Sequence, residues 1–123
     1  MLVCRGIRGA TTTQANNDTA IYAATRELLA QLIDANQIDQ ENVAAAYFTV
    51  TTDLDAAYPA AAARQLGWNS TALMCSTEIP VPGSLPRCIR VMVLYNTEKS
   101  QVEMVNIYLN GTDVLRLQGV EST

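Results

Sequence analysis

The run RCIRVMVLYN at residues 87–96 constrains this chain more than any other segment. Read in alternation, Cys88, Arg90, Met92 and Leu94 fall on one side, and Ile89, Val91, Val93 and Tyr95 on the other. A segment apolar on both sides predicts a central, buried β-strand, which needs neighbouring strands for its backbone and layers for its faces. Arg90 alone interrupts it. A guanidinium carried on such a strand is costly unless an anion or a hydrogen-bond acceptor meets it. Two readings follow: a structural arginine paired with a buried carboxylate or carbonyls, or a cation held rigidly toward a ligand.

The remaining segments supply the rest of a sheet. Residues 2–9 alternate as a strand that places Arg8 near its end, beside Gly9. The polar stretch 10–17 predicts a turn, with Asn16 or Asn17 available to cap a helix. From Asp18 to about residue 35, Ile21, Ala24, Leu28 and Leu32 form one stripe of a long amphipathic helix. Residues 43–51 turn to strand chemistry at Tyr47, Phe48, Thr49 and Val50. Pro59 suits the opening of a short helix over 60–66, and Gly67 its stop. A strand over 71–77 leads to Glu78 and a Pro/Gly-broken loop over 79–86. A fifth strand is predicted over 102–109, carrying Tyr108, then an Asn110-Gly111 turn and a short ordered piece over 114–117. The expected class is α+β: a mixed five-stranded sheet with one long and one short helix on one face. The other face needs cover, which a second copy of the chain could supply.

With 123 residues, no internal repeat and no linker, a single domain is expected over 1–123. Whether its tail over 116–123 is mobile stays open. A net charge of −4 argues against nucleic acid as the main partner, so the arginines must act locally. Cys4, Cys75 and Cys88 are odd in number and lack CxxC spacing, which suits reduced thiols in a cytoplasmic protein and no zinc site. No other metal-binding spacing, P-loop or dinucleotide fingerprint occurs, and neither a secretory signal nor a membrane span is expected.

The chain has no histidine and only one lysine, Lys99. It therefore lacks the side chain that most often moves protons near neutral pH. Glu78 reads either as an exposed strand-end acid or, functionally, as a hydrogen-bond acceptor or a charge balancing two arginines. Arg8 and Arg64 each admit a solvated reading. Tyr108 and Cys75 carry little signal alone, and Cys75 has no histidine to activate it.

Arg5-Gly-Ile-Arg-Gly-Ala-Thr-Thr12 resembles the opening of the monofunctional AroH-type chorismate mutases. The likeness continues through Thr52-Asp-Leu, Tyr58-Pro-Ala, Ala63-Arg64, Cys75, Glu78, Cys88-Ile-Arg-Val-Met92, Tyr108-Leu109 and Val114-Leu-Arg116. The resemblance implies conversion of chorismate to prephenate, a step toward phenylalanine and tyrosine. It also implies a homotrimer with a barrel-like centre (a pseudo-α/β barrel), active sites between subunits, and no cofactor.

By the same resemblance Arg90 meets the ether oxygen and a carboxylate, Arg8 grips a carboxylate, and Glu78 accepts the ring hydroxyl. Tyr108 donates to a carboxylate, while Cys75 and Met74 line the ring-hydroxyl region. Tyr58 and Leu115 resemble apolar walls, and Arg64 a cation contributed across the interface, with Ala60 beside it. Two positions depart from the family pattern: Ala61, where a lysine is frequent, and Met74, where a small polar residue is frequent. Against the enzyme stand a non-catalytic trimer sensing an anionic metabolite and a trimeric enzyme of similar architecture, such as an enamine deaminase. Ala61 favours the first of these most; Glu78, Arg90 and the CIRVM block disfavour the second.

Overall fold

The computed structural model describes residues 1–117. The chain runs β1 (Val3–Thr12), α1 (Asp18–Asn36), β2 (Val43–Val50), α2 (Ala60–Gln65), β3 (Ala72–Thr77), β4 (Cys88–Thr97), β5 (Ile107–Tyr108) and α3 (Val114–Leu117). The sheet order is β3-β2-β4-β1-β5. Central β4 pairs antiparallel with β1 and β2, while β2–β3 and β1–β5 are parallel. The expected mixed five-stranded α+β sheet is what forms, with a third short helix among the described residues.

The core lies between one face of the sheet and two helices. Leu28, Leu29 and Leu32 of α1, with Ala60 and Ala63 of α2, cluster with Ile7, Ala46, Phe48, Val91 and Val93. Burial of this continuous apolar layer is the main stabilising term. Helix α1 starts where Asn17 accepts the Ala20 N–H at 2.8 Å and ends at Gln37 in the left-handed region. Its close seating on β1 depends on Gly9. A Cβ there would come 2.8 Å from Leu32 Cδ1 and 3.0 Å from Leu28 Cδ1.

Three sequence expectations are corrected. First, β1 does not end at Gly9: Ala10, Thr11 and Thr12 pair with Arg90, Ile89 and Cys88. Their polarity suggests a turn, yet threonine is β-branched and suits a strand, and Thr11 is fully buried. Second, the fifth strand shrinks to Ile107–Tyr108. Residues Gln101–Glu103 instead form a 3₁₀ turn closed by reciprocal Ser100 and Glu103 hydrogen bonds. Buried Asn36 then donates to the Val105 carbonyl at 2.9 Å and accepts the Val105 N–H at 2.8 Å, taking both backbone groups that a sheet neighbour would pair.

Third, β4 is central in the sheet, but its two faces are covered unequally. Ile89, Val91, Val93 and Tyr95 are buried, whereas Met92 and Leu94 are 38% and 39% exposed. With Tyr47 and Met74 they leave an open apolar face opposite the helices. The sequence predicts a face in need of cover, and among the described residues these four side chains stand exposed on it.

Candidate active site

The open face carries a cluster of charge. Strand alternation brings Arg8 from β1, Tyr47 and Thr49 from β2, and Arg90 and Met92 from β4 to one cleft, which Glu78 closes just beyond β3. The Glu78 N–H donates to the Val50 carbonyl at 2.8 Å, anchoring this backbone to β2. Arg90 Nη1 donates to Glu78 Oε2 at 2.8 Å, with the two side chains 25% and 20% exposed. Thr49 Oγ1 donates to the same Oε2. Arg90 is thus ion-paired within the chain, and the pair itself lines the cleft.

A second cavity adjoins the first, sharing Glu78 and Arg90 and adding Ile79, Leu85, Cys88 and Leu115. The last turn of described chain, α3, packs Leu115 against Ala10 and Cys88 on this side of the sheet. Tyr108 stands beside Ala10 in the β1–β5 ladder and packs on the same cluster. The Arg116 guanidinium lies over the Tyr108 ring, 5.4 Å from its centroid, within cation–π range. Residues 118–123, most of the tail singled out in the sequence, lie outside the described residues.

The other predicted residues gather elsewhere. Ala60 opens α2, where Pro59 at φ −55° presets the helical turn. Arg64 is exposed on the same helix, and Tyr58 precedes it, 74% exposed. Cys75 packs on the helix side of β3. Burial pushes its thiol up, against the Ala60 N–H hydrogen bond and the Arg64 charge, which both act downward. The net rise keeps Cys75 a neutral thiol near pH 7, suited to packing and weak hydrogen bonding but not to nucleophilic attack.

Met74 and Cys75 are consecutive in a strand, so they project to opposite faces: Met74 beside Tyr47 on the open face, Cys75 beside Phe48 on the helix side. The predicted residues thus form two groups. Arg8, Glu78, Arg90, Tyr108 and Leu115 belong to the open face, with Met74 at its rim. Tyr58, Ala60, Arg64 and Cys75 belong to the α2–β3 edge. Sequence reasoning passed over Tyr47 and Thr49, although the alternation of β2 puts both on the face that carries Arg90.

The type I chorismate mutase family profile matches residues 4–118. The chain belongs to that family. It is 50% identical over 113 residues to the chorismate mutase AroH of Thermus thermophilus, covering 91% of this chain and 93% of that one. Identity to the AroH of Bacillus subtilis is 38% over 116 residues, covering 94% and 91%. A solved chorismate mutase from Clostridium thermocellum superposes with a TM-score of 0.87 at 51% identity, covering 89% of this chain and 98% of that one. The chain is accordingly a chorismate mutase, an isomerase of aromatic amino acid biosynthesis.

Proposed function

We propose that the reaction takes place where the open face of one protomer meets the α2–β3 edge of another in a cytoplasmic homotrimer, each copy forming one domain. The support is the separation of the predicted residues onto two faces of the same chain, together with an uncovered apolar surface around the charged cleft. A rotationally closed assembly would bring unlike faces together three times, covering the surface and completing three sites.

Chorismate carries two carboxylates, a ring hydroxyl and an enol ether. Its rearrangement to prephenate is pericyclic: the ether C–O bond breaks as a C–C bond forms, with no obligatory proton transfer or covalent intermediate. Catalysis therefore consists of holding the compact chair-like conformer and meeting the charge that separates. Negative charge grows on the ether oxygen, so a fixed guanidinium there stabilises the transition state more than the ground state.

Arg90, mounted on the central strand and steadied by Glu78, takes that role and also holds a carboxylate. Arg8 and Tyr108 hold carboxylate oxygens. Glu78 accepts the ring hydroxyl and favours the electron-poor ring. Leu115 and Tyr58 wall the chamber, while Met74, Ala60 and Cys75 line it and Arg64 closes it from the neighbouring copy. None of these roles requires a histidine, a metal ion or an organic cofactor.

The carrying observation is Arg90 paired with Glu78 in a cleft also lined by Arg8. Loss of chorismate absorbance, with prephenate identified as product, tests the reading. Arg90→Ala is expected to slow turnover on the order of 10²–10³-fold, as for removal of a preorganised oxyanion-type donor. Turnover by that variant at the parent rate would remove Arg90 from the mechanism. Tight chorismate binding by the parent without turnover would assign a sensor instead.

A further inference from the structure

We infer that Thr49 is a positioning residue for this reaction, setting the rotation of the Glu78 carboxylate. The inference rests on the reading above in which Glu78 and Arg90 face the substrate.

Thr49 sits on β2, between β3 and β4, in register with Ser76 on one side and Arg90 on the other. The strand pleat turns its side chain into the cleft shared by Arg8, Glu78 and Arg90. Its hydroxyl donates to Glu78 Oε2, the oxygen that also accepts Arg90 Nη1 at 2.8 Å. Two donors from two different strands thus converge on one carboxylate oxygen. Among the described residues, Oε1 accepts no hydrogen bond.

The backbone of Glu78 is pinned by its N–H to the Val50 carbonyl, but that bond leaves every side-chain torsion able to turn. Arg90 alone does not settle the rotation. Its contact is end-on through a single nitrogen, and an arginine–carboxylate pair is free to turn toward the two-point fork geometry that such pairs favour. In the fork, both carboxylate oxygens are consumed by the pair. The Thr49 hydroxyl holds Oε2 from a third direction and blocks that turn. Oε1 is then left to accept the substrate's ring hydroxyl.

Thr49→Val removes the donor at nearly constant shape, and Thr49→Ser keeps it. For the valine variant kcat is expected to fall roughly ten- to hundredfold, the scale of a lost hydrogen bond to a charged group, with KM changed less. Melting temperature and oligomeric state stay those of the parent. The serine variant returns to within about threefold of the parent, since its hydroxyl reaches the same oxygen.

A merely structural role is separated by a cycle with Glu78→Ala: once the carboxylate is gone, Thr49→Val is expected to cost less than about twofold more. Parent-like turnover by Thr49→Val beside an impaired Glu78→Ala would overturn the inference alone. So would a valine effect that persists in full without Glu78, or a serine variant as slow as the valine one. Glu78→Ala at the parent rate would overturn the reading of the site and this inference with it. Should Thr49→Val fail to fold, Thr49→Ala carries the same comparison.

Discussion

If each reaction chamber combines unlike faces of two protomers, two impaired variants should restore one another's activity. Arg90 lies on the open face and Arg64 on α2 at the opposite edge. Arg90→Ala spoils the first half-site and leaves the second intact; Arg64→Ala does the reverse. The first is expected to lose activity on the order of 10²–10³-fold. The second should lose on the order of tenfold or more, the scale of a charge-assisted hydrogen bond to a carboxylate.

Refolding the two together at equal concentrations lets them assort into trimers, and roughly three quarters of those trimers contain both kinds. In a closed ring of three head-to-tail contacts, every mixed trimer has one contact joining an intact open face to an intact edge. One chamber in three, in three quarters of the assemblies, gives about a quarter of parental turnover per protomer. The assay is chorismate disappearance before and after denaturation and joint refolding, with each variant refolded alone as the baseline. A mixture no more active than the average of its components would refute the shared chamber. So would recovery without any change in subunit composition by mass measurement of the intact assembly.

The remaining expectations concern stability. Gly9→Ala places a methyl group 2.8 Å from Leu32 and 3.0 Å from Leu28, so it should destabilise the fold by about 1–3 kcal/mol, read as a lower denaturation midpoint at unchanged slope. A midpoint equal to the parent's would mean that α1 does not seat on β1 as closely as described. Burial pushes the Asp53 carboxyl up, but hydrogen bonds from Thr51 Oγ1 and the Arg87 N–H outweigh it and hold it below its ordinary value of 3.8. Its stabilising contribution is therefore complete above that value and is lost as pH falls through the lower folded one. The stability difference between the parent and Asp53→Asn should be constant near neutrality and shrink only in acid below 3.8, with melting followed against pH.

Most of the sheet was legible because alternation and helical stripes are local signals. The run around Arg90 identified the central strand, and the leucine stripe of α1 identified its cover. What the sequence did not yield depended on contacts between distant segments. Thr11 and Thr12 look like turn residues until β4 lies beside them. Residues 102–109 alternate well enough for a strand, yet Asn36, nearly seventy positions earlier, takes the backbone groups of Val105.

One overlooked signal was local. Ser100 and Glu103 have the spacing of a helix-start box and mark the 3₁₀ turn from sequence alone. In the site, Arg90 stood out as a charge in an apolar run, whereas Thr49 did not, because a threonine in a strand is ordinary. Its meaning comes from register, which set it across from Arg90 and within reach of Glu78.

Strand β3 is six residues long and lies at the edge of the sheet. Cys75 leaves it toward the helices, and Glu78, one residue past its end, leaves toward the open side. In the proposed ring this one short ribbon is a wall shared by two adjoining rooms. A mutation that shifts it to reshape one room reshapes the next by the same amount. The three centres therefore inherit their changes together, and drift in substrate fit along this edge is constrained from both directions.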